Sequence, residues 1–281
     1  LPSMEWSKVK NIIILLLLLV NGFLLVLVGM RREESENYQA SALAQAVEVL
    51  ERSGIQVFQE GLEDALDMSP LSVERNLERE GALAGALLGE TVEPKNQGGG
   101  LYAYRGNRGE VSIRAGGAIS GRMNGEEDWY SQDPQNHAAG LLEEMGVEAE
   151  VLESSLDGGT GTVSFRQLWQ GAPLFSCQVA FTYEEGSLTG MEGVLLMADP
   201  AGAAAGQGET ITLPTALLRF LDGILGSGDV CSQILAMEPG YLAEQSFSGS
   251  VSLSPVWLVR SNTAHYYLDA VTGELTRAEE I

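Results

Sequence analysis

The sequence predicts an α+β protein in which a single N-terminal transmembrane helix precedes two extracytoplasmic units, each with antiparallel strands packed on helices. Three observations predict it. A predominantly apolar run of 19 residues, Ile12–Met30, stands before a polar and acidic remainder of the chain. Stretches of helical period stop at glycines. Segments of alternating apolar residues follow them, joined by short turns that contain glycine.

The apolar run has the length of one membrane span. At 1.5 Å per residue it is about 28 Å long, close to the roughly 30 Å hydrocarbon core of a bilayer. A cleaved signal peptide is the rival interpretation, but its apolar core is shorter and ends in an A-x-A-like site. Gly29, Met30, Arg31 and Arg32 follow here, which favours an uncleaved signal anchor and a cell-membrane location.

The charges flanking the run do not decide its orientation. Lys8 and Lys10 precede it, and Arg31 and Arg32 follow it, so the positive-inside count is tied. Long domains are translocated largely regardless of charge. We therefore take as a hypothesis that the N-terminus lies inside and the domains outside the cell.

Residues 1–34 form the short tail and anchor, and residues 35–124 the first α+β unit. Helical spacing predicts a helix from Glu34 to Ser53, stopped by Gly54, and a strand at Ile55–Phe58. A second helix is predicted over Ser72–Leu88, stopped by Gly89. Short strands are predicted near 101–105, 110–114 and 118–122.

The second unit, residues 125–281, starts after a cluster of acidic and turn-forming residues. Asp133 is the predicted N-cap of its first helix, with Pro134 in the first turn and Gly146 as the stop. Another helix is predicted from Thr212 to about Leu225. The predicted strands are 160–169, 173–184, 188–197, 254–260 and 264–270, with hairpin turns at 170–171, 185–186 and 261–263.

The charge balance restricts the partners. With 16 basic and 39 acidic side chains, the net charge is −23, which repels nucleic acid and anionic lipid headgroups. We predict no nucleic-acid partner, and we assign most of the acidic residues to a solvated surface rather than to a docking face.

The two cysteines, Cys177 and Cys231, are too far apart for a metal-binding knuckle, and only His137 and His265 could complete such a site. No metal site is therefore predicted. Alternation over residues 175–183 places Cys177 on the inward face of a strand, as a buried thiol. A Cys177–Cys231 disulfide remains the alternative, since export would permit it.

Catalysis is not predicted, and neither is a cofactor. The sequence contains no nucleophile elbow, zinc-protease motif, phosphate-binding loop or dinucleotide fingerprint. His265 shares a strand face with Asp269, but an ordinary sheet histidine is the simpler interpretation. The aromatic residues of the strands either pack in the core or line a ligand groove, and alternation favours the core: Trp169, Tyr183, Trp257 and Tyr266.

Two parts of the chain resemble a known family. Met4-Glu5-Trp6, followed by Lys8, Lys10 and the apolar span with Asn21-Gly22-Phe23-Leu24, resembles the opening of the YycI (WalI) family of Gram-positive regulatory membrane proteins. Residues 167–173 and 255–274 resemble the PepSY-like units of the YycI and YycH C-terminal domains. The second unit is accordingly similar to a PepSY-like domain.

The resemblance implies a noncatalytic regulator. Such a protein would bind a YycH-like membrane protein and the transmembrane helices of a WalK-type sensor histidine kinase, which controls cell-wall metabolism. The alternative is a PepSY-type module that binds or inhibits an envelope protease. A pilin-like subunit is disfavoured, because its processing site and early glutamate are missing.

Three residues of the span are predicted to bind the partner within the membrane. Asn21 carries a polar amide, which in hydrocarbon gains by hydrogen bonding to another helix. Gly22 and Gly29, seven residues apart, lie on one helix face and would admit a close neighbour. The alternative is that these residues are merely tolerated in the span.

Overall fold

The computed structural model describes residues 38–89, 93–124, 130–199, 202–245 and 250–278, together with residues 14, 17, 20 and 21. Those four isolated residues of the predicted span are helical, and the rest of the span lies outside the described residues. Within the described ranges, no helix is both long and apolar enough to cross a membrane. The span thus stays a prediction.

The described elements alternate helices with groups of strands. In chain order they are α1 (38–52), β1 (Gln56–Val57), a 3-10 helix (Gln59–Gly61), β2 (Leu71–Glu74), α2 (Leu77–Leu88), β3 (Lys95–Gly98), β4 (Leu101–Gly106), β5 (Gly109–Ile113), β6 (Ala118–Met123), α3 (Pro134–Glu144), β7 (Ala149–Asp157), β8 (Thr160–Trp169), β9 (Ala172–Glu184), β10 (Ser187–Val194), β11 (Ala204–Ala205), α4 (Leu213–Ser227), β12 (Gln233–Gln245), β13 (Ser250–Ser261), β14 (His265–Asp269) and β15 (Leu275–Arg277). The predicted α+β class is confirmed.

The glycine stops after α1 and α3 and the N-cap of α3 lie where the sequence predicts them. After α1, Gly54 N donates to Glu51 O and Ile55 N to Leu50 O, the paired bonds of a Schellman motif that needs the left-handed backbone of Gly54. Gly146 ends α3 in the same way. At its start, the Asp133 side chain accepts a hydrogen bond from Asn136 N, and Pro134 occupies the first turn, as predicted.

Eight antiparallel strands form sheet I, in the order β3-β4-β5-β6-β10-β9-β8-β7. The arrangement is nearly symmetric. Helix α2 precedes β3–β6 and helix α3 precedes β7–β10, and the last strands of the two groups pair at the centre, where Gly121 lies opposite Met191. The prediction that a helix followed by antiparallel strands recurs is confirmed.

Helices α2 and α3 cover one face of sheet I. Their buried leucines, including Leu83 and Leu142, pack against Tyr104, Phe165 and Phe181 in one core cluster. That cluster takes residues from 83–123 and from 138–197, so residues on both sides of the predicted unit boundary at 125 line the same core. The boundary itself falls within residues 125–129, outside the described residues, and the division into two units stays a prediction.

The remaining strands form sheet II. β13 pairs with β12 on one side and with β14 and β2 on the other. In addition, β1 pairs with β12, β15 pairs with β14, and β11 pairs with β2. Helices α1 and α4 pack on one face of it, where Leu50, Phe220, Trp257 and Tyr266 are buried. The sheets join where β9 runs parallel to β12, with Leu174 opposite Tyr241.

Several predicted boundaries are wrong. The helix predicted over Ser72–Leu88 begins only at Leu77, because Leu71–Glu74 pairs with β13 as strand β2. β7 and β12 were not predicted: β7 is largely exposed and so lacks a clear apolar alternation, and β12 contains Pro239 and Gly240, which rarely occur inside strands. Both predicted two-residue turns, 170–171 and 185–186, are confirmed by positive φ at each of their residues.

Candidate functional site

Of the three residues predicted to bind a partner within the membrane span, the structure describes only Asn21. The side-chain amide of Asn21 donates from Nδ2 to the backbone oxygen of Leu17, one helical turn earlier, at 2.8 Å. This bond satisfies one amide hydrogen within the helix itself. Among the described residues, nothing donates to its Oδ1. Gly22 and Gly29 lie outside the described residues.

Helix α1 is the first described element after the predicted span. Seven residues, 31–37, separate Met30 from the first described residue of α1. The inner face of α1 is buried in the core of sheet II, where Ala46, Val47 and Leu50 are 2%, 4% and 0% exposed. Helix α1 is therefore fixed to sheet II by core packing.

A buried group of charges lies at the junction of the two sheets, and the sequence analysis missed it. Arg166 on β8 makes a two-bond ion pair with Glu238 on β12, through Nη1 and Nη2. Its Nε donates to Glu150 on β7 at 2.7 Å, and Arg260 on β13 donates to Glu238 at 2.8 Å. Arg166 and Glu238 are both buried. The group thus connects four strands.

Two aromatic rings lie beside this junction. The guanidinium carbon of Arg166 lies 5.2 Å from the ring centroid of Phe175, and Phe175 lies 5.9 Å from Tyr267. Burial alone would lower the pKa of Arg166, but its hydrogen bonds to Glu238 and Glu150 outweigh this and raise the pKa. Burial, followed by the nearby charge of Glu238, raises the pKa of Glu63.

The arrangement favours a structural joint over a reactive centre. Both carboxylates that contact Arg166 point at a guanidinium, and charge-assisted bonds of this kind fix geometry. Across the described ranges, no three His, Cys, Asp or Glu side chains are grouped so as to hold a metal. A sequence signal did exist at Glu238, which interrupts the mostly apolar stretch Ile234–Ala243 of β12, whereas Arg166 and Arg260 are each followed by a polar residue.

The other candidates from the sequence are not brought together. Asp269 accepts hydrogen bonds from Val271 N and Thr272 N within a turn, and His265 pairs across the strands with Arg260. The four aromatic residues considered for a groove are buried in three separate clusters, as core packing requires: Tyr183 in the first, Trp257 and Tyr266 in the second, and Trp169 in the third. Both cysteines are free thiols, and Cys177 is buried as predicted.

The face of sheet I opposite the helices is polar and open. A concavity of about 730 Å³ lies on it, lined in part by Ser112, Ser120, Arg122, Thr182 and Glu192. Short side chains at the centre of the sheet leave this space. Such a face is typical of an antiparallel sheet with one side in solvent.

Comparison with known proteins gives structural neighbours only. No family model matches the chain, and no curated protein matches it. An uncharacterized protein from Eubacterium rectale is similar in structure, with a TM-score of 0.48 and 12% identity over 75% of this chain and 86% of that one. The Bacillus megaterium YpeB C-terminal domain has a TM-score of 0.38 and 14% identity, over 74% and 100% of the chains. The YycI resemblance accordingly stays a prediction.

Proposed function

We propose that this protein is a noncatalytic regulator anchored in the cell membrane, with its N-terminus inside and its folded part outside. It binds a YycH-like membrane protein and the transmembrane helices of a WalK-type sensor histidine kinase, and it modulates that kinase. The observation that carries the proposal is the burial of α1 in the core of sheet II, seven residues beyond the predicted span. That connection couples the anchor to the folded part.

Asn21 supports a contact inside the membrane. An amide oxygen in hydrocarbon gains when a neighbouring helix donates to it, by roughly 0.6–2 kcal/mol. Its hydrogen bond to Leu17 uses one amide hydrogen, and among the described residues nothing donates to the amide oxygen, so a partner helix could do so. Replacement by leucine removes this acceptor and keeps the span apolar.

The first experiment is affinity purification, after crosslinking, of the full-length chain from native membranes. Asn21→Leu should lower recovery of the kinase, and Val20→Leu, a change at the adjacent position of the same helix that keeps the amide, should leave recovery unchanged. Replacing the whole 12–30 span by an unrelated apolar helix should abolish recovery. Equal recovery from all versions would exclude a contact through the span.

A second variant separates binding from coupling. Flexible Gly-Ser residues inserted between the span and α1 should preserve recovery of the kinase but remove the effect on its activity, because the anchor no longer acts on α1. If the insertion leaves regulation intact, coupling through α1 is wrong. If only an envelope protease is recovered, and equally well with the native and the replaced span, the inhibitor alternative would be supported instead.

A further inference from the structure

The edge strand β7 differs from the other sheet edges. Among the described residues, β7 pairs only with β8, so its second side is open. It has 9 residues, whereas the other edge strands, β1, β3, β11 and β15, have 2, 4, 2 and 3. A long open edge can accept a further strand, and short edges are one way in which proteins avoid this.

The charge on this edge discourages pairing with a second copy of the chain. Glu153, Ser155 and Asp157 lie on the open face of sheet I, opposite Ser164, Thr162 and Thr160 of β8. If the β7 strands of two copies of the chain paired antiparallel about Ser155, Glu153 of each copy would lie opposite Asp157 of the other. Like charges directly opposite each other destabilise a sheet.

The other face of β7 offers apolar surface. Val151 lies opposite Phe165, which belongs to the core of sheet I, and is itself 43% exposed. Leu156 packs partly against the same core. A strand added beside β7 would cover these side chains if its own residues on that face were apolar.

We propose that β7 is a docking edge for an extended segment of a partner protein in which basic and apolar residues alternate. The basic side chains lie beside Glu153 and Asp157, and the apolar ones extend the core beside Val151 and Leu156. The irregularity between Val151 and Glu153 divides β7 into two regularly paired stretches, residues 149–151 and 153–157. This surface is separate from the anchor, and the proposal does not depend on the regulator function.

The test uses the full-length chain in neutral detergent and a nine-residue peptide of alternating Lys and Val. Affinity is measured by fluorescence anisotropy and backbone protection by hydrogen exchange. The peptide should bind and should slow the exchange of amides in residues 149–157. A peptide of the same composition with its lysines grouped at one end should bind at least about tenfold more weakly, since it cannot match both faces.

Charge reversal supplies the decisive comparison. The double variant Glu153→Lys, Asp157→Lys should lose at least about tenfold in affinity for the Lys-Val peptide and should gain binding of an alternating Glu-Val peptide. The control Glu184→Lys, Glu192→Lys makes the same change in net charge at exposed positions of β9 and β10, which are interior strands, and should bind as the unmodified chain does.

Three results would overturn the proposal. The first is unchanged affinity in the reversed variant. The second is peptide binding without protection of residues 149–157, which would show electrostatic adhesion elsewhere. The third is a dimer of the chain whose β7 amides are protected without any peptide, which would make a second copy the occupant.

Discussion

Arg166 on β8 and Glu238 on β12, 72 positions apart in the chain, form an ion pair that joins sheet I to sheet II. Both side chains are largely withdrawn from solvent, at 8% and 11% exposure. Removing one member of a buried pair leaves the other charge without compensation. Removing one member of this pair should therefore lower the free energy of unfolding by more than the intact pair contributes to it.

We expect Glu238→Gln to lower the free energy of unfolding by about 3 kcal/mol, because the buried Arg166 then keeps only Glu150, which is 42% exposed, as a carboxylate partner. Chemical denaturation measures this. Glu110→Gln is the control, since it breaks an exposed ion pair with Arg105 and should cost no more than about 1 kcal/mol. Equal losses in the two variants would show that the junction is solvated.

Gly240 of β12 lies where the two sheets touch. A Cβ at this position would lie 2.6 Å from the backbone oxygen of Pro173 and 2.7 Å from the ring of Phe175. We expect Gly240→Ala to push β9 away from β12 and to cost about 1–3 kcal/mol in the free energy of unfolding.

The matched control is Gly140→Ala. Gly140 lies inside α3, and its added Cβ would meet nothing within 4 Å. Because alanine favours helix over glycine, this change should raise stability by up to about 1 kcal/mol. Denaturation curves of both variants test the pair, and a neutral Gly240→Ala would mean that the junction is loosely packed.

The local turns and the junction between the sheets show what the sequence could and could not predict. Turns and helix stops were predicted correctly where the signal is local, as at Gln170-Gly171 and at Gly146. The Arg166–Glu238 pair depends on how strands distant in sequence meet, which no local pattern contains. β12 was missed because Pro239 and Gly240 look unfavourable for a strand, although the absence of a side chain at Gly240 makes room for Phe175.

His137 on α3 makes stability depend on pH. Its Nδ1 lies 2.8 Å from the hydroxyl of the buried Tyr183, and burial lowers its pKa, with Glu144 opposing the effect weakly. The folded state therefore binds this proton less readily than the unfolded chain, whose histidine titrates near about 6.5. The contribution is present above that pH and is lost as the pH falls toward the lowered folded pKa.

We expect His137→Gln to reduce the loss of stability between about pH 7 and pH 5, compared with the unmodified chain, because the variant lacks this titrating group. Denaturation at a series of pH values measures the difference. Identical profiles for the variant and the unmodified chain would contradict the assignment to His137.

The two thiols should differ in reactivity. Cys177 is 1% exposed, and burial raises its pKa to about 12, whereas Cys231 is only partly buried and has its pKa raised by burial as well. Because the thiolate is the reactive form, an aromatic disulfide reagent should label Cys231 first and Cys177 only on unfolding. Cys231→Ser should abolish labelling of the native protein, and Cys177→Ser should leave it unchanged. Denatured, unreduced protein should titrate with two thiols; a count of none would mean that Cys177 and Cys231 pair after export.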